Sequence, residues 1–274
     1  MDKMSNIFSL KDKVIVVTGG TGILGYAFIK ALSNAGAAVG IMGRNEKVAI
    51  ERADEINAAG GKAIALIADV QNEVALKECC NKVLHAFGKI DGLVNAAGGN
   101  VPEAVLQPGD DIFSMDVAGM KKAMDVNLWG TVLPTLIFGK AIAENGSGSI
   151  VNISSVSVPR TLTKVLGYSM GKSAVESFNK WMAVELANRY GDKIRMNALV
   201  PGFFLTEQNR TLLTNEDGSY TSRGESVIKQ TPFKRFGNPD ELGGALVWML
   251  SDASKFVTGT TITVDGGFTS FSGV

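Results

Sequence analysis

Histidine and cysteine, which supply many metal ligands and nucleophiles, are almost missing from this chain of 274 residues. Its one histidine is His85, and its two cysteines, Cys79 and Cys80, stand next to each other. A lone histidine argues against a zinc centre and against a Ser–His–Asp triad, so we predict no bound metal. Adjacent cysteines are poorly placed for a disulfide, and we expect them on an ordinary helix of a reduced, cytoplasmic protein.

Net charge and long apolar runs are also lacking. Lysine plus arginine and aspartate plus glutamate each number 27, whereas a nucleic-acid binder usually has a basic excess. The longest apolar runs, such as Ala245–Leu250, fall far short of the ~18 residues of a membrane span. Around Asp2, Lys3 and Lys11 the apolar stretch is too short for a signal peptide. We therefore expect a cytoplasmic protein with neither a nucleic-acid nor a membrane partner.

Glycine, in contrast, is abundant, with 32 residues. Short apolar runs alternate with longer helical patterns, which predicts a doubly wound α/β sheet. The expected strands are Val14–Val17, Val39–Met42, Ala63–Ile67, Leu93–Val94, Ile150–Ile153, Ile194–Val200 and Thr261–Val264. The expected helices are Ile23–Asn34, Glu46–Ala59, Glu73–Phe87, Met120–Glu144, Ser169–Tyr190 and Pro239–Leu250. We predict one Rossmann-type domain over residues 1–274, with about seven parallel strands and helices on both faces.

Two stretches rich in glycine and proline interrupt this alternation, near residues 99–119 and 201–238. Long insertions in a compact α/β domain are usually functional loops. Each stretch follows an expected strand, so each should lie at the carboxyl edge of the sheet, where such proteins bind ligands. We expect both to be substrate loops.

The first expected strand runs into a glycine-rich turn and then a helix. Glycines permit a tight turn and a close approach of backbone to pyrophosphate, and the helix N-terminus offers N–H groups and a positive dipole. No Gly-Lys-Ser/Thr follows, which excludes a Walker phosphate loop. The turn therefore predicts a dinucleotide site. Its expected cofactor contacts are Gly19, Thr21, Gly22, Ile23, Leu24 and Gly25.

The end of the second strand, Gly43-Arg44, lacks the carboxylate that usually binds the ribose of NAD. The Arg44 guanidinium suits a 2′-phosphate, so NADP(H) is favoured over NAD(H), although an Arg44 that only faces solvent is the other interpretation. Asp69 and Val70 end the third strand and are placed to reach an adenine. Asp69 could equally cap the helix that follows.

Tyr168 and Lys172 lie four residues apart in a helical pattern and therefore share one helix face. A phenol with a pKa of ~10 is a poor acid or base at neutral pH. A neighbouring cation favours the phenolate and lowers that pKa, so Tyr168 could act as general acid in carbonyl reduction and general base in alcohol oxidation. Ser155, at the end of the fifth strand, precedes this pair.

Taken in order, these segments resemble the short-chain dehydrogenase/reductase family over essentially the whole chain. The matching residues are Thr18-Gly19 through Gly25, Asp69, Asn95-Ala96-Ala97-Gly98, Asn127, Ser155, Tyr168, Lys172 and Pro201-Gly202. The resemblance implies hydride transfer between NAD(P) and a carbonyl or alcohol. It implies that Tyr168 is the acid/base, that Ser155 donates to the substrate oxygen, and that Lys172 holds the nicotinamide ribose and lowers the pKa of Tyr168.

The same resemblance implies further contacts. Asn127 would help to hold a water on the proton relay, and a homotetramer would form through the helices of Tyr168 and Asn127. The implied cofactor residues after the fourth and sixth strands are Asn95, Ala96, Ala97, Gly98, Pro201, Gly202 and Thr206. One departure is clear: the family's usual Thr-Gly-x-x-x-Gly-x-Gly spacing has Ile23 at its middle glycine here, and Gly22 comes one residue early.

A narrower resemblance is to the short-chain branch described as D-mannonate oxidoreductases, or fructuronate reductases. It rests on Asn95 through Ala104, on Thr211 through Ser219, and on Arg223-Gly224, Thr231-Pro232 and Arg235-Phe236-Gly237. It implies the D-fructuronate/D-mannonate pair as substrate. A hydroxylated anion needs polar and cationic donors. The candidates near the expected pocket are Asn100, Arg160, Lys164, Arg210 and Arg223, with Arg160 and Arg223 ranked first for the carboxylate.

Two other functions compete with a sugar-acid oxidoreductase. A general or acyl-carrier 3-oxoacyl reductase would use the same scaffold, and the neutral net charge neither supports nor excludes it. A cofactor-sensing protein without turnover would bind dinucleotide only. Such a sensor tends to lose the tyrosine or the lysine, whereas Tyr168 and Lys172 are both present.

Overall fold

Seven parallel strands form one sheet at the centre of the computed structural model, which describes residues 7–107, 109–206, 210 and 212–273. The strand order is β3-β2-β1-β4-β5-β6-β7. The strands are β1 (Val14–Thr18), β2 (Ala38–Gly43), β3 (Lys62–Ile67), β4 (Gly92–Asn95), β5 (Gly148–Ile153), β6 (Ile194–Pro201) and β7 (Thr261–Val264). The predicted doubly wound parallel sheet is confirmed, and each predicted strand matches an observed one.

Helices cover both faces of this sheet. They are α1 (Ile23–Asn34), α2 (Glu46–Ala58), α3 (Glu73–Phe87), α4 (Val117–Met124), α5 (Gly130–Glu144), α6 (Leu166–Tyr190), α7 (Ser222–Gln230) and α8 (Gly243–Leu250). The predicted bounds of α1 and α3 are confirmed, and Cys79 and Cys80 are buried on α3 as free cysteines. The last predicted helix starts instead as a 3-10 turn, Pro239–Leu242, capped by Asn238.

Strands β1 and β2 are buried along their whole length, because helices pack on both sides of them. Alternate side chains of β1 enter opposite layers of the core. Ile15 and Val17 pack on the side of α1 and α8, with Phe28 and Leu246, while Val16 packs with the cluster of α3 and α5. The continuous apolar runs of the sequence are thus the centre of a three-layer core.

The predicted helix Met120–Glu144 is interrupted in the structure. It begins at Val117, where the Asp116 carboxylate accepts a hydrogen bond from the amide of Ala118, and a single π turn, Asp125–Trp129, separates α4 from α5. The whole run is long and apolar enough to span a membrane by length and composition. Its buried side chains, which include Phe138, pack in the core beside the sheet, and this packing accounts for the apolar composition.

The strand order reverses between β1 and β4, and this reversal opens a crevice at the carboxyl edge of the sheet. Thr18, the last residue of β1, pairs with Asn95 of β4. The Thr18 hydroxyl then accepts hydrogen bonds from the amides of Ala96 and Ala97, each at 3.1 Å. The glycine turn after β1 and the segment after β4 are therefore held side by side.

The stretch near residues 201–238 contains a helix, α7, that its composition did not predict. α7 buries Val227 against Leu213 and Phe236, which form a small apolar cluster of their own. The stretch near 99–119 has two single 3-10 turns, Pro102–Ala104 and Ile112–Ser114. Both stretches follow strands of the sheet, so their predicted position at its carboxyl edge is confirmed.

Candidate active site

The glycine turn after β1 leaves no space for side chains at two positions. Gly19 has φ +65°, and a Cβ there would lie 2.7 Å from the carbonyl oxygen of Ala96. A Cβ on Gly25 would lie 2.8 Å from the carbonyl carbon of Gly19 and 2.9 Å from Cα of Gly20. Real Cβ atoms essentially never come this close, so both positions require glycine.

The amides at the start of α1 are open to an anion. Gly22 is the N-cap of α1, and it has no side chain to cap the first turn. Its amide donates to the carbonyl of Gly19 at 2.9 Å, which accommodates the unusual position of this glycine. Within the described residues, the amides of Thr21, Ile23 and Leu24 find no acceptor. Free N–H groups at a helix N-terminus fit a pyrophosphate.

Arg44 and Asp69 lie together at the ends of β2 and β3. The Arg44 Nη1 atom is 3.7 Å from Asp69 Oδ2, and the Arg44 side chain is 79% exposed. Asp69 also accepts the amide of Gln71 through Oδ1 at 2.9 Å. The helix cap considered for Asp69 is in fact Asn72, whose side chain accepts from the amide of Ala75. Both charged side chains therefore lie together at the carboxyl edge of the sheet.

Most of the other predicted cofactor residues line the same edge. Val70 follows β3 and is buried beneath Gly130, and Ala96, Ala97 and Gly98 follow β4. Pro201 ends β6, and the amide of Gly202 donates to the Val264 carbonyl at 2.9 Å. Thr206 is four residues further along the same segment. These residues lie at the carboxyl ends of three strands, β3, β4 and β6, which are not adjacent in the sheet.

Asn95 is the exception, because its side chain points into the protein. Its Nδ2 atom donates to Thr135 Oγ1 at 2.8 Å and to Asn152 Oδ1 at 2.9 Å, and the residue is 1% exposed. Asn152 donates in turn to Asn179 on α6 at 3.1 Å. The prediction that Asn95 lines the cofactor is therefore wrong for its side chain, which ties β4 to β5 and α5.

Tyr168, Ser155 and Lys172 come together at the start of α6. Ser155 lies close enough to Tyr168 to act on the pKa of its phenol, and the Lys172 ammonium lies 5.8 Å from the centre of the Tyr168 ring. Lys172 is 4% exposed, and its Nζ atom donates to the Ile153 carbonyl at 2.7 Å. The predicted proximity of these three residues is confirmed.

In the protein without a bound cofactor, the pKa of Tyr168 is raised, whereas the prediction of a lowered pKa was for a phenol beside both Lys172 and a nicotinamide cation. Burial raises the pKa of Tyr168 above its usual value, and the hydrogen bond with Ser155 opposes this rise only in part. Burial also lowers the pKa of Lys172 to about 8, because a charged ammonium is poorly solvated there. Desolvation is thus the largest influence on the pKa of each group.

Asn127 joins this group through the π turn. Its Nδ2 atom donates to the carbonyls of Ala123 at 2.7 Å and Gly99 at 2.8 Å, and its Oδ1 accepts from the amide of Gly99 at 3.1 Å. A Cβ on Gly98 would lie 2.6 Å from Asn127 Oδ1 and 3.2 Å from Lys172 Nζ. The backbone after β4 therefore lies directly against both side chains.

The five candidate substrate donors have different surroundings. Arg160 donates to the Phe268 carbonyl and to Gln230 Oε1, and its guanidinium lies 5.0 Å from the centre of the Phe268 ring. These contacts make Arg160 a connector between the Ser155 loop, α7 and the C-terminal segment, and they leave fewer of its donors for a substrate carboxylate. Asn100, Lys164 and Arg210 are exposed. Arg223, on α7, is half-buried and forms no ion pair or hydrogen bond with any side chain that the structure describes.

Two contacts at the site escaped the sequence analysis. Ser154 donates to Glu176 Oε1 at 2.6 Å, one helical turn beyond Lys172. Arg52, on α2, donates to the carbonyls of the glycine turn. Glu176 shares the spacing of four with Tyr168 and Lys172, so helical periodicity could have indicated it. Arg52 is far from the turn in sequence, and no local pattern marks it.

Comparisons with known proteins agree with this geometry. The family model described as enoyl-(acyl carrier protein) reductase matches residues 21–269. An uncharacterized oxidoreductase of Bacillus subtilis, UxuB, is 41% identical over 97% of this chain and 98% of its own length. The chain belongs to the short-chain dehydrogenase/reductase family. It is therefore an oxidoreductase that uses a nicotinamide cofactor and acts on a small molecule.

Two solved structures of this family are similar over nearly the whole chain. One is a Haemophilus influenzae protein with bound NAD, whose assignment as a D-mannonate oxidoreductase is itself provisional. It is 36% identical, with a TM-score of 0.90, and the match covers 99% of this chain and 100% of that one. The other is a gluconate 5-dehydrogenase of Burkholderia cenocepacia in complex with NADP and tartrate. It is 32% identical, with a TM-score of 0.84, and the match covers 97% and 99%.

Replacing Gly25 by alanine should damage the glycine turn. The added methyl group would overlap the backbone of Gly19 and Gly20, and such overpacking costs about 1–3 kcal/mol. We expect a lower free energy of unfolding in urea and an NADH dissociation constant at least tenfold higher in a fluorescence titration.

Gly244→Ala is the matched control, because a Cβ at this position on α8 meets nothing within 4 Å. This variant should keep wild-type stability and NADH binding. A Gly25→Ala protein that binds NADH within twofold of wild type would contradict the steric argument.

Proposed function

We propose that Tyr168 exchanges a proton with the substrate oxygen while Ser155 holds that oxygen by a hydrogen bond. The observation that supports this is the proximity of the two side chains, since Ser155 lies close enough to Tyr168 to lower the pKa of its phenol. A bound nicotinamide cofactor supplies the hydride in carbonyl reduction and accepts it in alcohol oxidation. Tyr168 gives up its proton in the first direction and accepts one in the second.

Lys172 and Asn127 complete the proposed proton path. Among the described residues, the Ile153 carbonyl is the one acceptor that Lys172 Nζ contacts. Two of its three N–H donors are therefore left for a ribose hydroxyl and for a group next to Tyr168. Asn127 fixes the π turn through Ala123 and Gly99, and we assign it the task of holding a water beside Lys172.

The cofactor is proposed to lie along the crevice between the turn after β1 and the segment after β4. The residues that would hold it are Gly19, Thr21, Gly22, Ile23, Leu24, Gly25, Arg44, Asp69, Val70, Ala96, Ala97, Gly98, Tyr168, Lys172, Pro201, Gly202 and Thr206. The free amides at the start of α1 fit the pyrophosphate, and they are the strongest support for this placement.

Replacing Tyr168 by phenylalanine should lower kcat by ~100- to 10,000-fold, because proton transfer is lost. The NADH dissociation constant should stay within about twofold, since no phosphate contact changes. Steady-state kinetics and a fluorescence titration measure the two quantities. Tyr190→Phe, at the exposed end of the same helix, should leave both unchanged. A Tyr168→Phe enzyme with more than a tenth of wild-type kcat would show that another group transfers the proton.

The cofactor preference is proposed to be for NADP(H), with NAD(H) accepted. The support is Arg44 at the end of β2, with no carboxylate at Gly43. Arg44 is exposed and 3.7 Å from Asp69, so its contribution to a 2′-phosphate should be modest.

Arg44→Ser should lower kcat/KM for NADPH by about five- to tenfold and leave that for NADH unchanged, since an exposed ion pair contributes about 1 kcal/mol. Gly43→Asp is a poorer test, because a Cβ there would lie 2.5 Å from Thr21 Cγ2 and 2.9 Å from Thr21 Cβ and would disturb the phosphate turn. Wild-type enzyme that strongly prefers NADH would overturn the proposed preference.

The substrate is proposed to be a polyhydroxylated carboxylate, most simply the D-fructuronate/D-mannonate pair. The single observation that carries this is Arg223, a half-buried guanidinium without a described partner on α7. α7 is tied to the loop after Ser155 by the contact from Arg160 to Gln230. The similarity to a provisional D-mannonate oxidoreductase and to a gluconate 5-dehydrogenase also supports a sugar acid.

Arg223→Ala should lower kcat/KM for fructuronate by about 30-fold or more and spare a neutral ketose of similar size. Loss of one partner from a desolvated charge pair costs roughly 2 kcal/mol or more. Lys229→Ala, an exposed cation on the same helix, is the control and should have no effect. If the wild-type enzyme reduces neutral ketones or 3-oxoacyl substrates as well as fructuronate, the general or acyl-carrier reductase takes the place of this proposal.

A cytoplasmic homotetramer is also proposed, with subunits meeting on the helices of Asn127 and Tyr168. Apolar side chains on these elements are exposed in the single chain, as an interface would require. They are Trp129, Leu136, Trp181 and Val184.

A further inference from the structure

Arg52 contacts the glycine turn from the neighbouring helix. One nitrogen of its guanidinium, Nη1, donates to the carbonyl of Gly20 at 2.5 Å and to the carbonyl of Gly22 at 2.9 Å. Arg52 belongs to α2, which follows the next strand, so it joins two consecutive strand–helix units at the point where the turn is tightest. Neither carbonyl belongs to a strand ladder.

Two other side chains hold Arg52 in this position. Its guanidinium lies 4.6 Å from the centre of the Tyr26 ring, a distance typical of a cation–π contact. The Tyr26 hydroxyl donates to both carboxylate oxygens of Glu55, at 2.5 and 2.7 Å. Burial lowers the pKa of Arg52, and the charges of Tyr26 and Glu55 act in the opposite direction. The guanidinium is therefore fixed between α1 and α2.

The two carbonyls belong to peptide groups whose N–H groups face the proposed anion site. The carbonyl of Gly20 shares its peptide group with the amide of Thr21, and the carbonyl of Gly22 shares its own with the amide of Ile23. A hydrogen bond to a peptide carbonyl polarises the group and strengthens the N–H on its other side, by about 10–30% per bond. The amides of Thr21 and Ile23 are among those that find no acceptor in the described structure.

We propose that Arg52 is a positioning residue for pyrophosphate, which it serves by fixing and polarising the peptide groups before Thr21 and Ile23. It does not contact the ligand. It acts through the turn, and its effect is confined to the part of a dinucleotide that these two amides bind. This contact also stabilises a turn in which Ile23 stands where the family usually has glycine.

The experiment compares binding of ADP, adenosine and NADH to the wild-type protein and to variants, by calorimetry and by NADH fluorescence. Arg52→Met should raise the dissociation constants for ADP and NADH about tenfold, and that for adenosine less than twofold. The amide proton resonances of Thr21 and Ile23 should also move upfield, because the polarising bond is lost. Arg52→Lys keeps the charge but lacks the planar guanidinium. Its dissociation constant for ADP should lie between those of the wild type and Arg52→Met.

Lys30→Met is the matched control for charge. Lys30 also lies over the Tyr26 ring, at 5.2 Å, but it is not hydrogen-bonded to the turn. This variant should bind all three ligands as the wild type does. If it weakens ADP binding as much as Arg52→Met does, the effect is general attraction of an anion and the proposal fails.

Two other results would also overturn the proposal: an Arg52→Met protein that binds ADP like the wild type, or one that loses adenosine and ADP to the same degree. The second result would mean that the whole cofactor site has deformed. If Arg52→Met does not fold, Arg52→Gln replaces it, since glutamine keeps a hydrogen-bond donor without the charge. This variant should also raise the dissociation constant for ADP more than that for adenosine. ADP and adenosine lack the nicotinamide half of the cofactor that Tyr168 would contact, so the comparison between these two ligands is independent of the proposed reaction.

Discussion

The ligand edge of this protein depends on how closely the turn after β1 approaches the segment after β4. Gly19 leaves 2.7 Å between a hypothetical Cβ and the Ala96 carbonyl, and the Thr18 hydroxyl accepts both amides of Ala96 and Ala97. The approach brings the start of α1 to the crevice where the strand order reverses. A side chain at Gly19 would push these two segments apart, and the amides that fit a pyrophosphate would then move away from the sheet.

The same segment after β4 connects the phosphate end of the site to the reacting end. Its first residues bond to Thr18, and Gly98 lies against Asn127 and Lys172. Asn127 is itself held by Gly99 and by the π turn before α5. A displacement at the glycine turn would therefore reach Lys172 through a few residues of backbone. Through this short connection, a cofactor that lies in the proposed crevice would be aligned with the side chains proposed to be catalytic.

Much of the architecture follows from local pattern, because buried parallel strands are continuous apolar runs and helices alternate with them. The order Ser155, Tyr168, Lys172 was also sufficient to predict one cluster. The predictions that failed concern side chains whose partners are distant in the sequence. Asn95 was expected at the cofactor, but Thr135 and Asn152 offer its amide partners in the core.

Contacts between distant residues also limited what could be predicted about the substrate-binding residues. Arg160 has the chemistry of a carboxylate ligand, and no local pattern could show that the Phe268 carbonyl and Gln230 already bind it. Helix α7 was not predicted from the sequence, because its composition is polar and its N-cap, Thr221, lies inside a glycine-rich stretch. Arg52 was not noticed at all, since its partners are backbone carbonyls, which every sequence has.

The buried charge of Lys172 lowers the stability of the folded protein. Burial lowers its pKa to about 8 from an ordinary value near 10.5, so the unfolded chain binds this proton more tightly than the folded one. The penalty is complete below pH 8, on the order of 3 kcal/mol, and it disappears as the pH rises towards 10.5. Replacing the lysine by an apolar residue would relieve it, so stability alone does not account for a cation at this position. A ribose hydroxyl that accepts from the free Nζ donors would favour the charged form, and burial would then make that contact stronger than it is in water. The destabilising charge therefore fits the proposed cofactor site, where ligand binding would offset the stability that folding loses.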